Sequence, residues 1–164
     1  MRLVVPQPLT PEAFAPFGDV IEASDQALPQ VINHGHTRRY HDLAGLDVAE
    51  GGGRPIVSIF RGRPLAAPIL KVVERHPLGS QAFIPLQHRD WLAAVAPPGD
   101  FDPKALTVFR ATGRQGVNYR RGVWHHFLLA LQPDSDFLVI ERDGPGDNCD
   151  EILLDTADQL EVLL

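Results

Sequence analysis

The chain holds a single cysteine, Cys149, among 164 residues, which excludes an internal disulfide and a cysteine-rich zinc site. A reducing compartment, the cytoplasm, is the default that follows. No apolar run approaches the ~18 residues of a transmembrane helix. The apolar opening at residues 1–5 is too short for the core of a secretory signal. Basic side chains are outnumbered, 15 against 21 acidic, for a formal charge of -6. A surface of that sign argues against a nucleic-acid partner, while local arginines still allow a small anionic one. There is no G-x-S-x-G elbow and no phosphate-binding P-loop. Gly113-Arg114-Gln115-Gly116 lacks the strand and helix that a dinucleotide site needs. The Asp147-Asn148-Cys149-Asp150 run has no adjacent base to activate a thiol.

Long helices are missing as well, because 15 prolines and 14 glycines cut the chain into short pieces. What is present is an apolar fraction of 44%, enough for one core, with no linker and no internal repeat. The whole chain, residues 1–164, reads as one domain. Thr10-Pro11-Glu12-Ala13-Phe14 predicts a short helix, with threonine as cap and proline at the first helical position. Pro16 limits it to about two turns. Strands are expected near residues 20–21, 55–60, 69–76, 81–86, 91–96, 106–110, 117–119, 123–131, 137–141 and 152–154. Residues 38–43 also read as extended, and Thr156 as the cap of a last helical turn before an apolar tail. So many short strands in one domain predict an all-β fold, a β-barrel or jelly roll with short flanking helices.

The strand at 69–76 carries the most information. Alternation places Leu70, Val72, Glu74 and His76 on one face. An apolar row ending in two ionisable groups suits a barrel interior that opens into a polar pocket. His76-Pro77-Leu78-Gly79-Ser80 then turns the chain, and residues 81–86 are expected to return as the second half of a hairpin. In the late strand, His125 and His126 must face opposite sides if the strand is regular. Val123, Phe127, Leu129 and Leu131 form the apolar row of His125, and Trp124, Leu128 and Ala130 that of His126. Both faces therefore need cover, from a second layer or a partner subunit.

Glu74-x-His76-x4-Gln81 and Gly122-x-x-His125 resemble in spacing the two motifs of the cupin superfamily. There, two histidines one residue apart, a glutamate after a turn and a later histidine point into a barrel and hold a divalent metal. Here Glu74 stands at the first histidine position and Gln81 at the glutamate position, with His76 and His125 at the other two. A set of nitrogen and oxygen donors still suits a borderline divalent ion such as Ni, Zn or Mn. Without a metal, Glu74 and His76 are proton-transfer groups. A blander reading makes Glu74 a solvated strand end and His76 a turn residue. Arginine grips carboxylates through paired hydrogen bonds. Arg39, in the polar run from Asn33 to Asp42, and Arg61 are candidates to bind an anion, with Tyr119 beside them. Arg63, Arg120 and Arg121 are further choices that sequence does not separate.

Six stretches, in order along nearly the whole chain, resemble the ureidoglycolate lyase family. They are Leu9-Thr10-Pro11-Glu12-Ala13-Phe14 with Phe17-Gly18-Asp19-Val20-Ile21; Arg39-Tyr40-His41-Asp42-Leu43; Glu74-Arg75-His76-Pro77-Leu78-Gly79-Ser80-Gln81-Ala82-Phe83-Ile84-Pro85; Gln115-Gly116-Val117-Asn118-Tyr119; Gly122-Val123-Trp124-His125-His126; and Asp136-Phe137-Leu138 with Asp147-Asn148-Cys149-Asp150. The resemblance implies a cupin-like barrel, a homodimer, and cleavage of (S)-ureidoglycolate to glyoxylate and urea in allantoin breakdown. For that reaction Glu74, His76 and His125 are the expected catalytic groups, with Glu74 the leading base. Ureidoglycolate amidohydrolase activity, which releases ammonia, is the competing enzyme reading. A non-catalytic module that binds a small carboxylate is the competing reading outside enzymes, because fold alone does not decide function.

Overall fold

The computed structural model describes residues 1–24 and 26–164. Proline and glycine punctuation leaves strands of two to nine residues. In chain order they are β1 (Arg2–Val4), β2 (Gln7–Pro8), β3 (Gly18–Ile21), β4 (Gln30–Ile32), β5 (Thr37–Arg39) and β6 (Arg54–Gly62), followed by β7 (Ile69–Leu70), β8 (Val72–Arg75) and β9 (Gln81–Pro85). The second half holds β10 (Trp91–Ala96), β11 (Thr107–Ala111), β12 (Gly116–Tyr119), β13 (Trp124–His125), β14 (Leu129–Ala130), β15 (Ser135–Asp143), β16 (Asp150–Leu153) and β17 (Leu160–Val162). The single α-helix among the described residues, α1 (Pro11–Phe14), starts as expected: the Thr10 hydroxyl accepts the Ala13 amide and proline opens the helix.

Two sheets face one another. One runs β3-β12-β9-β15-β6; the other runs β16-β8-β13-β10-β11-β2, with β14 also paired to β10. Phe83, Val117, Tyr119, Phe137 and Val139 from the first meet Trp91, Ala93, Val95, Phe109 and Val123 from the second, and Phe14 and Phe17 close the end of that core. The other face of the second sheet carries its own core of Leu92, Ala94, Val108, Trp124 and Leu129, covered by Leu70, Leu160 and Val162. The cover is a small sheet, β1-β17-β7, built by the chain itself. That explains β10, Trp-Leu-Ala-Ala-Val-Ala, in which all six residues are buried: a strand covered on both faces has no polar side. The architecture is all-β and cupin-like.

Several expectations need correction. Residues 69–76 are not one strand. The ladder breaks at Lys71, and Leu70 and Val73 both enter the second core, so the alternation shifts at the break. Nor do residues 74–86 form a hairpin. β8 pairs with β13 and β16, whereas β9 pairs with β12 and β15. The turn between them crosses from one sheet to the other. Residues 123–131 are interrupted too: His126, Phe127 and Leu128 lie opposite only Ala93 and Ala94 of β10. This is a β-bulge, and its extra residue reverses which side chains face which core. Val123 therefore faces the first core and Leu129 the second. Residues 38–43 are strand only through Arg39, and Thr156 opens a turn whose apolar tail is β17.

Candidate active site

Glu74 and His125 are direct cross-strand partners of β8 and β13, an arrangement that holds Cβ atoms ~5 Å apart. Gln81 comes from the facing sheet, where it stands opposite Tyr119 on β12 and Glu141 on β15. His76 lies just beyond β8, on the crossing turn. Gly79 lets that turn pass close to its neighbours, since a Cβ there would meet the Arg142 Cβ at 2.8 Å. The two motifs are tied together by Gly122, whose amide donates to the His76 carbonyl at 3.0 Å and whose φ of +74 suits glycine.

The side chains converge. Gln81 Oε1 lies 3.2 Å from Nε2 of both His76 and His125. Glu74 Oε1 lies 3.5 Å from His125 Nε2 and 4.0 Å from His76 Nε2. One donor atom from each of Glu74, His76 and His125 falls within 4.8 Å of the others. His125 is buried, and Glu74 and His76 are half-buried.

The hydrogen bonds around this cluster decide where protons sit. His76 Nδ1 is 2.7 Å from the Asn148 carbonyl, and His125 Nδ1 is 3.1 Å from the Val123 carbonyl. A carbonyl only accepts, so each Nδ1 carries a hydrogen and each neutral ring turns an Nε2 lone pair inward. Gln81 donates its amide nitrogen to Glu141 Oε2 at 2.8 Å, which aims its oxygen at the histidines. Four lone-pair atoms thus face one another. A divalent cation relieves that arrangement, and so does an added proton on an imidazole. Anchoring each imidazole through its far nitrogen to a carbonyl is the support that histidine metal ligands typically have.

When an imidazole takes the added proton, its Nε2–H faces Glu74, and that contact with His125 holds the carboxyl below the ordinary carboxylate range; burial opposes this, and the positive charges of His125 and His76 add to it. Glu74 is ionised at neutral pH. His126, next along the chain, is pushed down to about 4 by burial and stays neutral.

Glu74 of this cluster lines a cavity of about 370 Å³ with Phe60, Phe83, Phe127, Leu128 and, from the end of β6, Arg61 and Arg63. Phe127 reaches this mouth because the bulge puts it there. A larger hollow of about 470 Å³, near Arg75, Trp124 and Asp150, lies on the other face of the sheet and contains none of the four converging residues.

The structure brings Glu74, His76, Gln81 and His125 together; of the residues expected to grip an anion, it sets Arg61 on the cavity wall and Tyr119 against His125, and leaves Arg39 apart. Arg39 sits on the exposed β4–β5 hairpin, where it donates to Gln30 Oε1. Arg61 makes two hydrogen bonds to Asp136, at 2.7 and 2.8 Å. Along β6 it alternates with Phe60 and Gly62, which occupy the inward row. Tyr119 is buried in the first core and lies flat on the His125 ring, with centroids 4.3 Å apart. Burial raises its hydroxyl above the usual tyrosine range, with Glu74 adding to the rise.

Two contributors escaped sequence reasoning. Asn148 accepts from the Leu78 amide through its side chain and from His76 through its carbonyl. Glu141 fixes Gln81. Asn148 lies in the run at 147–150, which sequence reasoning weighed only for its thiol and for its family likeness. Glu141 closes an apolar strand, so its inward aim depends on strand parity alone.

Comparison with known proteins gives the family. A family model described as ureidoglycolate lyase matches residues 1–161. The chain is 57% identical over 155 residues to a ureidoglycolate lyase of Burkholderia cepacia, covering 93% of this chain and 87% of that one. It is 52% identical over 164 residues to one from Azotobacter vinelandii, covering 98% and 97%. A third, from Pseudomonas putida, is 51% identical, with coverage of 99% and 98%. A match over this much of each chain shows the family: the chain belongs to the ureidoglycolate lyase family.

Proposed function

We propose that this protein is a carbon–nitrogen lyase that cleaves (S)-ureidoglycolate to glyoxylate and urea. The observation that carries the reading is the convergence of Glu74, His76, Gln81 and His125, with Glu74 reaching the wall of a small cavity. The substrate is a carbinol that bears a urea and a carboxylate on one carbon. Cleavage moves the hydroxyl proton to the leaving nitrogen, forms the glyoxylate carbonyl and breaks the carbon–nitrogen bond. No water is consumed. Donor and acceptor sit on the same carbon, so one carboxylate can take the proton from oxygen and return it to nitrogen. Glu74, ionised and facing the cavity, is that group. General acid–base transfer of this kind is worth about 10²–10⁴ in rate. His76 and His125 hold the reacting end in place, and Tyr119 fixes the plane of His125.

The inward lone pairs of Glu74, His76, Gln81 and His125 fit a divalent cation such as Ni, Zn or Mn. When bound there, such an ion polarises the substrate hydroxyl and lowers its pKa. The acting species in this reading is a homodimer in the cytoplasm. In support of these settings, no helix among the described residues is long and apolar enough to cross a membrane, and Val57 and Ile59 leave apolar surface open for a second copy.

The test is a product assay on purified protein. Urea and glyoxylate are expected in equal amounts, whereas ammonia would indicate the amidohydrolase and overturn the reading. Glu74→Gln is expected to lower kcat by 10² or more, and His125→Ala to lower it comparably, both with the fold kept by circular dichroism. Chelator dialysis with elemental analysis tests the cation: full turnover in metal-free protein removes it from the mechanism.

A further inference from the structure

A substrate carboxylate entering this cavity loses water and needs a cationic or hydrogen-bond-donating partner in exchange. The apolar walls, Phe60, Phe83, Phe127 and Leu128, offer none. Most arginines around the two motifs are already engaged. Arg61 is held by Asp136, Arg75 by Asp150, and Arg121 by Asp47 and Glu50. Arg142 is buried and donates to the carbonyls of Glu50 and Pro145. Arg61 and Arg63 both line the cavity with Glu74. Arg61 is tied to Asp136, whereas Arg63 is exposed and, among the described residues, has no hydrogen-bond or ion-pair partner.

Its position is well defined. β6 ends at Gly62, which packs so closely on the segment after the bulge that a Cβ there would lie 2.9 Å from Leu128 and 3.0 Å from Ala130. Arg63 therefore leaves the sheet at the rim, one residue beyond a fixed point. A guanidinium can offer a carboxylate two parallel N–H donors, which gives direction as well as charge.

We propose that Arg63 binds the carboxylate of the substrate and so selects ureido carbinols that bear an acid. This rests on the lyase reading above. Arg63 is a binding residue that draws the anion in and orients it, leaving the hydroxyl and the leaving nitrogen toward Glu74. The same contact holds the glyoxylate product, which keeps that carboxylate.

The experiment compares wild type, Arg63→Ala and Arg63→Lys on two substrates: ureidoglycolate, and N-(hydroxymethyl)urea, which keeps the carbinol and urea but lacks the acid. Inhibition by glyoxylate is measured alongside. Arg63→Ala is expected to lower kcat/KM for ureidoglycolate about 10- to 100-fold, the size of a lost hydrogen bond to a charged group. The fall appears mainly as a higher KM, glyoxylate inhibition weakens in step, and Arg63→Lys recovers part of the loss. The rate on N-(hydroxymethyl)urea, however slow, is expected to stay at the wild-type value. Unchanged kcat/KM and unchanged glyoxylate inhibition in Arg63→Ala would overturn the assignment, and so would an equal fall on both substrates. Wild-type protein that forms no urea from ureidoglycolate fails the lyase reading itself, which is a separate result.

Discussion

Tyr119 and His125 stack with an angle of 11° between their rings, and the tyrosine is in turn packed among Phe14 and Phe83. The orientation of a reactive imidazole is thereby set by the hydrophobic core. Tyr119→Leu is expected to lower kcat about 10-fold and stability by about 1–3 kcal/mol, the usual cost of reshaping a core. Tyr119→Phe should stay within ~1 kcal/mol and keep its rate, because the hydroxyl makes no hydrogen bond among the described residues. Activity and denaturant midpoints of the two variants check this, and a Phe variant as slow as the Leu variant would instead give the hydroxyl a role. At this scale Glu74, His76, Gln81 and His125 were legible in the linear order, through spacing. Which arginine is left unpaired was not, because that depends on whether an acid such as Asp136 lies across the ladder.

Between elements, two backbone devices decide the site. The first is Gly122. Its left-handed φ and its bond to the His76 carbonyl join the entry of β13 to the exit of β8. Gly122→Ala is expected to cost about 1–2 kcal/mol, the penalty for a Cβ in that conformation, read as a lower urea midpoint with an unchanged m-value. The second is the bulge after His125. Deleting Phe127 would leave His126 and Leu128 opposite Ala93 and Ala94, with Leu129 still facing Leu92. A cooperative denaturant transition is expected to remain, while kcat/KM for ureidoglycolate falls because the cavity loses Phe127 from its wall. A deletion variant with native activity would show that the bulge does not shape the cavity. Alternation alone had predicted one unbroken strand here, because an inserted residue inside an apolar stretch leaves no polar mark.

For the whole molecule, the outer face of the β6–β15 pair stands out. Val57 and Ile59 are 65% and 54% exposed, and their ladder partners Ile140 and Leu138 are only half-buried. β6 is an edge strand with β15 as its one neighbour. Contiguous apolar surface of this kind marks an interface. Sedimentation equilibrium is expected to give a dimer, and the double variant Val57→Lys, Ile59→Lys a folded monomer. A wild-type monomer at micromolar concentration would refute the dimer. The second core teaches a related lesson. Sequence indicated that the Trp124 face needed cover but allowed a partner subunit to supply it. The cover is β7 and β17, from residues far apart in the chain.

What the amino-acid order determined by itself is what local chemistry can carry. Proline and glycine spacing set short strands, threonine and proline started α1, and the two motifs nominated the converging side chains. What only the tertiary structure decided is everything that depends on which strand lies beside which. That includes the crossing of the His76–Ser80 turn between sheets, the bulge that carries Phe127 to the mouth, and the acids and carbonyls that hold Arg61, Arg75, Arg121 and Arg142 but not Arg63. Long-range pairing leaves no trace in a short window of sequence, because its energy comes from residues that the window does not contain.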